Sequence, residues 1–373
     1  MACAHAFGSA VNGFGRASSD LDVLVAVDKE TLSYYMSYLS FLREQRDPEV
    51  VRQLDGDTGG RPAVWSHRAE VSEKGINACA VQQLAECLPE AGFRVIRALP
   101  HARRPLVTVE DLVGKIGECD VSINNLLPLS NSELLRSYSL VSLKLRPLVL
   151  LVKSWAKRHG VCGAHLGNLS SYTWAIMVIY FLQLADGVPS LQALWDKETR
   201  DARSTSAHDF WGFEREFDTS FVSAEEFLGQ RGGAPVDGGL PLGDLLYGFF
   251  RFFSREYRWG DEIVSIREPK RLDSDFWWQL FGKMHAEEKT IHVEDPIELR
   301  DLNIVLRKHR LIHLKAELAR AATLLEEGGS LLDLLRSRPL ELDLPPDTHT
   351  SRRMLRRLRD RQRRPRFRGI PPT

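Results

Sequence analysis

Two aspartates one residue apart, Asp20 and Asp22, open the run Val23-Leu24-Val25-Ala26-Val27, and no other feature restricts the fold of this 373-residue chain as strongly. Read as a strand, the run alternates by two and puts both carboxylates on one face. Carboxylates side by side repel unless a hard cation sits between them, and Mg²⁺ carrying phosphate oxygens answers that need. Upstream, a short apolar strand at 3–7 delivers Gly8-Ser9 into a glycine-spaced turn. Gly8 lets the backbone approach an anion, and free N–H groups at a helix start behind it would bind phosphate. Taken apart, an Asp-x-Asp is an ordinary solvated edge and a Gly-Ser pair an ordinary turn. Together, at this spacing and in this strand context, they point to nucleotidyl transfer from a nucleoside triphosphate.

The joint pattern resembles the nucleotidyltransferase superfamily that includes DNA polymerase β. Two-metal transfer needs a third carboxylate, because one metal also activates the attacking hydroxyl. Asp120, in the alternating segment Glu118-Cys-Asp-Val-Ser-Ile-Asn-Asn125, is the candidate, although alone it would be an ordinary strand residue. Only the fold can bring it to Asp22.

Further along, Lys153 and Lys157 lie four apart in a helical pattern and share a face, with Leu150, Leu151 and Trp155 facing a core. Two ammonium groups on one face suit a shared anion such as a triphosphate; the plain alternative is a solvated cationic stripe. Gly167-Asn-Leu-Ser-Ser-Tyr172 enters a buried helix, where Ser171 can bond a phosphate and Tyr172 can stack on a base. Simple capping and core packing remain the alternatives. His309 and His313 are four apart on a late helix, but no Glu follows His309, so the zinc-protease pattern fails and they read as surface or packing residues.

Strand signals sit at 3–7, 20–27, 93–98 and 117–124, with helices near 29–45 and 76–88 between them. From 133 onward the pattern is mostly helical. Ser130-Asn-Ser-Glu133 fits a capping box, Pro147 fits the first turn of the next helix, and Gly160 its stop. Residues 196–243 are polar and glycine-rich and read as a mobile connector. Five cysteines, without a Cys-x-x-Cys pair, argue against a disulfide framework and for a reducing compartment. The apolar run from Tyr172 to Leu182 is too short to span a bilayer. The formal net charge is zero, yet residues 351–373 carry ten arginines against one aspartate, a balance of +9 attached to an acidic body. Attraction to RNA phosphates is the commonest use of such a tail, a solubilising or targeting role the alternative.

The segments 119–125, 147–158, 167–172, 243–253 and 293–298, in this order, resemble the RNA-specific terminal nucleotidyltransferases: the cytoplasmic-type poly(A) polymerases and terminal uridylyltransferases. The resemblance runs from about residue 6 to 325. It implies an α+β fold, a polymerase β-like palm of mixed sheet and helices at 1–132. A mostly helical domain at 133–330 would follow, with the family's poly(A)-polymerase-associated region near 241–299 and nucleotide in the cleft between. Residues 331–373 would be a basic, disordered tail.

Carried over by position, the resemblance implies Asp20, Asp22 and Asp120 as Mg²⁺ carboxylates, with Mn²⁺ as a substitute. Gly8, Ser9, Lys153, Lys157 and Ser171 would hold the triphosphate. Asn131 would meet the ribose 2′-hydroxyl, Asn125 would lie near the base, Tyr172 would stack, and Asp295 and Glu298 would line the base edge. Several uridine-preferring relatives place a His where this chain has Asp301, while other uridylyl relatives lack it and read uracil through the acidic pair and water; Asp301 is expected to join that acidic edge. Relatives also carry helices ahead of the Gly-Ser strand, while seven residues precede Gly8 here, so a piece of the helical domain is expected to be missing. The expected partners are an RNA 3′ end, UTP or alternatively ATP, and proteins supplying RNA specificity, with no membrane and a cytoplasmic location. The contrasting reading is a catalytically silent RNA-binding subunit, against which the three retained carboxylates speak.

Overall fold

A computed structural model describes residues 2–15, 19–28, 30–32, 73–102, 104–111, 117–208, 214–273 and 291–341. The chain forms two compact units, one of residues 1–133 with 205–216 and the other of 134–204 with 217–373.

The first unit is built on a five-stranded sheet: β1 (Ala2–Phe7), β2 (Leu21–Val27), β3 (Phe93–Leu99), β4 (Leu106–Asp111) and β5 (Cys119–Ile123), in the order β1-β2-β5-β4-β3. β2 and β5 are parallel and the other pairs antiparallel. Parallel neighbours need a crossover, and α1 (Glu73–Cys87) lies within it. Alternation along the strands then separates two faces. Val107, Val109, Cys119, Val121 and Ile123 pack with Val81 of α1, and Val23 and Val25 join them. Asp22, Thr108 and Asp120 fall on the opposite face by the same alternation.

The expected strands are present, but β4 was not foreseen. Its alternation, Val107 and Val109 inward with Thr108 and Glu110 outward, is short and follows directly on Arg103-Arg104-Pro105. The helix expected near 29–45 lies almost wholly outside the described residues. α2 (Leu127–Val141) begins three residues before the expected capping box, so Ser130 is interior to the helix. Pro128 explains the earlier start, since an early turn tolerates its missing N–H.

In the second unit, α3 (Leu145–Arg158) buries Leu145, Leu148, Val149, Val152, Trp155 and Ala156, an i, i+3, i+4 stripe, and the chain turns at Gly160 with φ +66°. α4 (Ser171–Ala185) is buried from Thr173 to Gln183 on every side, and Ser170 caps it by accepting the Thr173 N–H at 3.1 Å. The segment expected as a connector is folded. A two-stranded sheet of β6 (Ser204–His208) and β7 (Glu214–Asp218), whose residues 205–216 belong to the first unit, is followed by α5 (Ala224–Gln230), which Ser223 caps and whose Phe227 is buried. Among the described residues of this segment, polarity reflects small, one-sided elements. α6 (Leu242–Arg251) runs into a wider helical turn at Phe252–Glu256 and packs Phe249, Phe250 and Phe253 among Trp155, Trp174 and Tyr257. A small sheet joins β8 (Glu262–Val264) to β9 (Leu272–Asp273) and β10 (His292–Val293).

The supposed disordered tail does not begin at 331. After α7 (Lys308–Glu326) comes α8 (Leu331–Arg336), with a capping box between Ser330 and Asp333 and a buried Leu334. The arginine-rich residues 351–373 lie outside the described residues. Among those described, no helix is long and apolar enough to cross a membrane.

Candidate functional site

β2 and β5 pair Asp22 directly with Asp120, one strand spacing apart. Asp20, two residues before Asp22, is exposed, whereas Asp22 and Asp120 are half-buried. Burial, then Asp120 and Asp20, push Asp22 up from 3.8 to about 6. Burial and the same Asp120 and Asp22 push the Cys119 thiol up to about 11. Asp22 therefore sits where burial and its two carboxylate neighbours penalise its ionisation.

Asp120 has a donor of its own: Thr108 Oγ1 donates to its Oδ1 at 2.5 Å. At the end of β5, Asn124 stands at φ +52° and closes the ladder with its amide, accepting from Val27 N at 2.8 Å and donating to Val27 O at 3.0 Å. Asparagine tolerates that left-handed conformation better than most residues. Asn125 follows it, half-buried.

The Gly8-Ser9 turn differs from expectation in one respect. No α-helix starts behind it; Gly8–Ala10 form a single tight turn, with Val11 and Asn12 N–H donating to Gly8 O. The N–H of Gly8 is itself engaged, donating to Ser132 Oγ at 2.8 Å, while that hydroxyl donates to Pro128 O at 2.6 Å. Ser132 thus ties the turn to α2. Gly8 holds φ +70°, and a Cβ there would meet Asp22 Oδ2 at 2.2 Å. Asn131 is half-buried on α2 beside Ser132.

The carboxylate set can be tested against a hard cation. Among the described residues, no three His, Cys, Asp or Glu side chains close on one point. Mg²⁺ takes one or two carboxylates and completes its shell with water and phosphate oxygens. The paired Asp22 and Asp120, all-oxygen donors raised in energy by mutual repulsion, fit that demand, with Asp20 within electrostatic reach.

In the second unit, Ser171 Oγ lies 3.4 Å from Cys162 Sγ at the start of α4. Burial pushes the Cys162 thiol up, while Ser171, Lys157 and Lys153 pull it back. The cysteine thus touches the serine and lies within electrostatic reach of both lysines. Nothing in its sequence context had distinguished it. Tyr172 is half-buried beside Ser171.

The loop after β10 is more closed than expected. Asp295 is 1% exposed, and its Oδ1 accepts the Ile297 and Glu298 N–H groups at 3.0 Å each. Leu299 adopts φ +52°, a strained conformation for this residue type. Beyond it, the Arg300 guanidinium bonds Glu298 and reaches 3.7 Å from Asp295 Oδ2. Asp301 does not form an open acidic edge. Its Oδ1 accepts from Asn303 N at 2.8 Å and Val293 N at 3.3 Å, and its Oδ2 lies 2.9 Å from His292 Nδ1. A carboxylate so placed starts the following turn and fastens the loop to β10. His309 and His313 both lie on α7, where His313 is buried 3.6 Å from Glu317 Oε1.

Known proteins resemble this chain in sequence and in fold. Residues 1–140 match the family model of the poly(A) RNA polymerase, mitochondrial-like, central palm domain, and residues 241–300 that of the Cid1 family poly A polymerase. Poly(A) RNA polymerase GLD2-B of Xenopus laevis is 34% identical over 240 residues, covering 63% of this chain and 42% of that protein. Poly(A) RNA polymerase GLD2 of Homo sapiens is 27% identical over 297 residues, covering 78% and 49%. The chain thus spans less than half the length of either relative. A crystal structure of the Cid1 poly(U) polymerase with MgGTP superposes with a TM-score of 0.64 at 24% identity, over 91% of this chain and 87% of that one. That is a likeness of fold: mixed sheet with helices, palm and associated helical region.

Proposed function

We propose that this chain, which matches the poly(A) RNA polymerase palm model over residues 1–140 and the Cid1 family poly A polymerase model over residues 241–300, adds nucleotides without a template to RNA 3′ ends. The observation that carries the reading is the register of β2 and β5, which sets Asp22 beside Asp120 with the Gly8 turn against Asp22.

In the proposed step the RNA 3′-hydroxyl attacks the α-phosphorus of a nucleoside triphosphate in line. Its proton passes to Asp120, the new O–P bond forms as the bond to the bridging oxygen breaks, and pyrophosphate leaves. Asp20 and Asp22 hold the negative charge that a divalent cation shares. Mg²⁺, or Mn²⁺, bound there would stabilise charge on the entering and leaving oxygens. Ser9 and the Gly8 turn, with Lys153, Lys157 and Ser171, bind the triphosphate. Asn131 takes the ribose 2′-hydroxyl, Asn125 lies by the base and Tyr172 stacks on it. The arginines of 351–373 add affinity for RNA phosphates.

UTP is the proposed substrate. Arg300 offers a donor for a carbonyl oxygen and Glu298 an acceptor for a ring N–H, a pairing that uracil meets within the smaller volume of a pyrimidine. ATP is the second reading, favoured by the similarity to the GLD2 poly(A) polymerases, since adenine N1 and its amine satisfy the same two groups. Incubating the protein with a labelled short RNA, Mg²⁺ and each triphosphate separately tests both. Extension by UTP above ATP is expected. Preferential extension by ATP reverses the base assignment, and no extension with any triphosphate overturns the activity.

A further inference from the structure

One cross-strand row runs through the carboxylate face of the sheet. Register pairs Asp22 with Asp120, Asp120 with Thr108, and Thr108 with Arg97. Thr108 is the buried member, 1% exposed, although it lies on the face opposite the strand's inward valines, Val107 and Val109. A buried hydroxyl must find partners on both its proton and its lone pairs. Here the proton goes to Asp120 Oδ1 at 2.5 Å, and a lone pair accepts Arg97 Nε–H at 2.9 Å.

Arg97 reaches Thr108 only because β3 is irregular. Val95 pairs with Val109, but Arg97 pairs with Thr108, so two steps on β3 match one on β4. In a regular strand Arg97 would share the face of Val95, which packs on the core. The bulge turns it to the carboxylate face, as bulges do where a side chain must be re-aimed. The hydrogen bonds then point one way, from guanidinium to hydroxyl to carboxylate, and a charge at each end strengthens both.

We propose that Thr108 and Arg97 are positioning residues for Asp120, fixing one carboxylate oxygen so that the other is presented toward Asp22. The inference rests on the reading of Asp120 as a functional carboxylate. It deepens that reading by naming what holds the group in place. Outer partners of ligating carboxylates typically alter metal affinity or activity by about 10–100-fold when removed.

The test compares wild type with T108V, T108S and R97A, each checked for a native circular dichroism spectrum. Mn²⁺ binding is measured by electron paramagnetic resonance without RNA or nucleotide, and kcat and KM by RNA extension. For T108V we expect about 10-fold weaker Mn²⁺ binding and kcat lowered by about 10–100-fold, with the KM for triphosphate within about threefold. T108S restores both, and R97A gives a smaller loss of the same kind. Wild-type Mn²⁺ affinity in T108V overturns the proposal, as does a T108S loss equal to that of T108V, which would assign the effect to packing of the methyl group. If wild type extends no RNA, the proposed activity fails while the Mn²⁺ comparison still decides the positioning role.

Discussion

A β-carbon placed on Gly8 would lie 2.2 Å from Asp22 Oδ2, so the absence of a side chain at one residue sets the position of the carboxylate at the other. The left-handed φ of +70° independently favours glycine at this point. Gly8→Ala is therefore expected to cost about 1–2 kcal/mol in backbone conformation alone. It should cost more in activity, because a displacement near 1 Å at reacting groups is worth about 100-fold. Thermal unfolding and RNA extension, measured together, check this. A variant of normal stability and normal turnover would show that Asp22 has room to move.

Asp22 also gives a pH dependence whose sign follows from its environment. Burial, Asp120 and Asp20 raise it to about 6 in the folded chain from an ordinary 3.8. Between those values the folded state holds more protons than the unfolded one, so stability falls as pH rises. The penalty is absent below pH 3.8 and complete above about 6, at most about 3 kcal/mol before solvent screening reduces it. Asp22→Asn should therefore unfold at a higher temperature than wild type at pH 7.5 without divalent cation, with the difference closing toward pH 4. Equal melting temperatures at both pH values would contradict the repulsion.

Much of this site was legible because strands write their faces into the sequence. Asp20 and Asp22 precede five apolar residues, and Asp120 sits in an alternating run, so a shared face followed from period two. Their adjacency did not follow, since the register of β2 on β5 joins residues 98 positions apart and is set by packing against α1. Thr108 carried no signal: a threonine among valines is what any strand contains, and the bulge that brings Arg97 to it leaves no local motif. Ser132 looked like part of a helix cap, but Pro128 starts the helix earlier and frees its hydroxyl for Gly8. Asp301 looked like a replacement for a base-reading histidine, yet its two backbone donors and His292 make it a turn-forming residue.

The end of the described chain is fastened by a buried polar cluster. Glu317 Oε1 accepts the Leu340 N–H at 2.6 Å and its Oε2 accepts from Arg320 at 2.6 Å. His159 Nε2 faces Leu334 O at 3.1 Å and must donate there, which leaves Nδ1 to accept from Arg320 at 2.9 Å. Burial alone would raise Glu317, but His313, the Leu340 N–H and Arg320 outweigh it and hold the carboxyl down at about 2. A depressed carboxyl stabilises the fold above its unfolded value near 4.5 and loses that contribution as pH falls toward 2. Acidification from pH 5 to 3 should therefore release residues 331–341 first, seen as early amide exchange there. Glu317→Ala should lower stability by about 3 kcal/mol at pH 7, because it strips the partner from Arg320 and from the half-buried Leu340 N–H. Urea unfolding that moves by less than about 0.5 kcal/mol would show the cluster to be ornamental.

Arg300 makes the sharpest prediction about substrate choice. It bonds Glu298, lies 3.7 Å from Asp295, and follows Leu299 at φ +52°. Strain of about 1–3 kcal/mol persists where surrounding structure over-determines it, and here the Asp295 turn and the Asp301 anchor bracket the strained residue. The guanidinium leaves the two acids without open charge, so the proposed base edge presents a donor backed by an acceptor. Arg300→Ala removes that donor and should lower kcat/KM for the preferred triphosphate by about 10–100-fold, the worth of one good charged hydrogen bond. Discrimination between UTP and ATP should shrink with it. Arg300→Lys should not restore it, since an ammonium lacks the planar fork that spans two carboxylates and a base edge. Separate kcat/KM values for UTP and ATP on one RNA, for wild type and both variants, decide the matter. An unchanged ratio in Arg300→Ala would return the base preference to pocket size and Tyr172 alone.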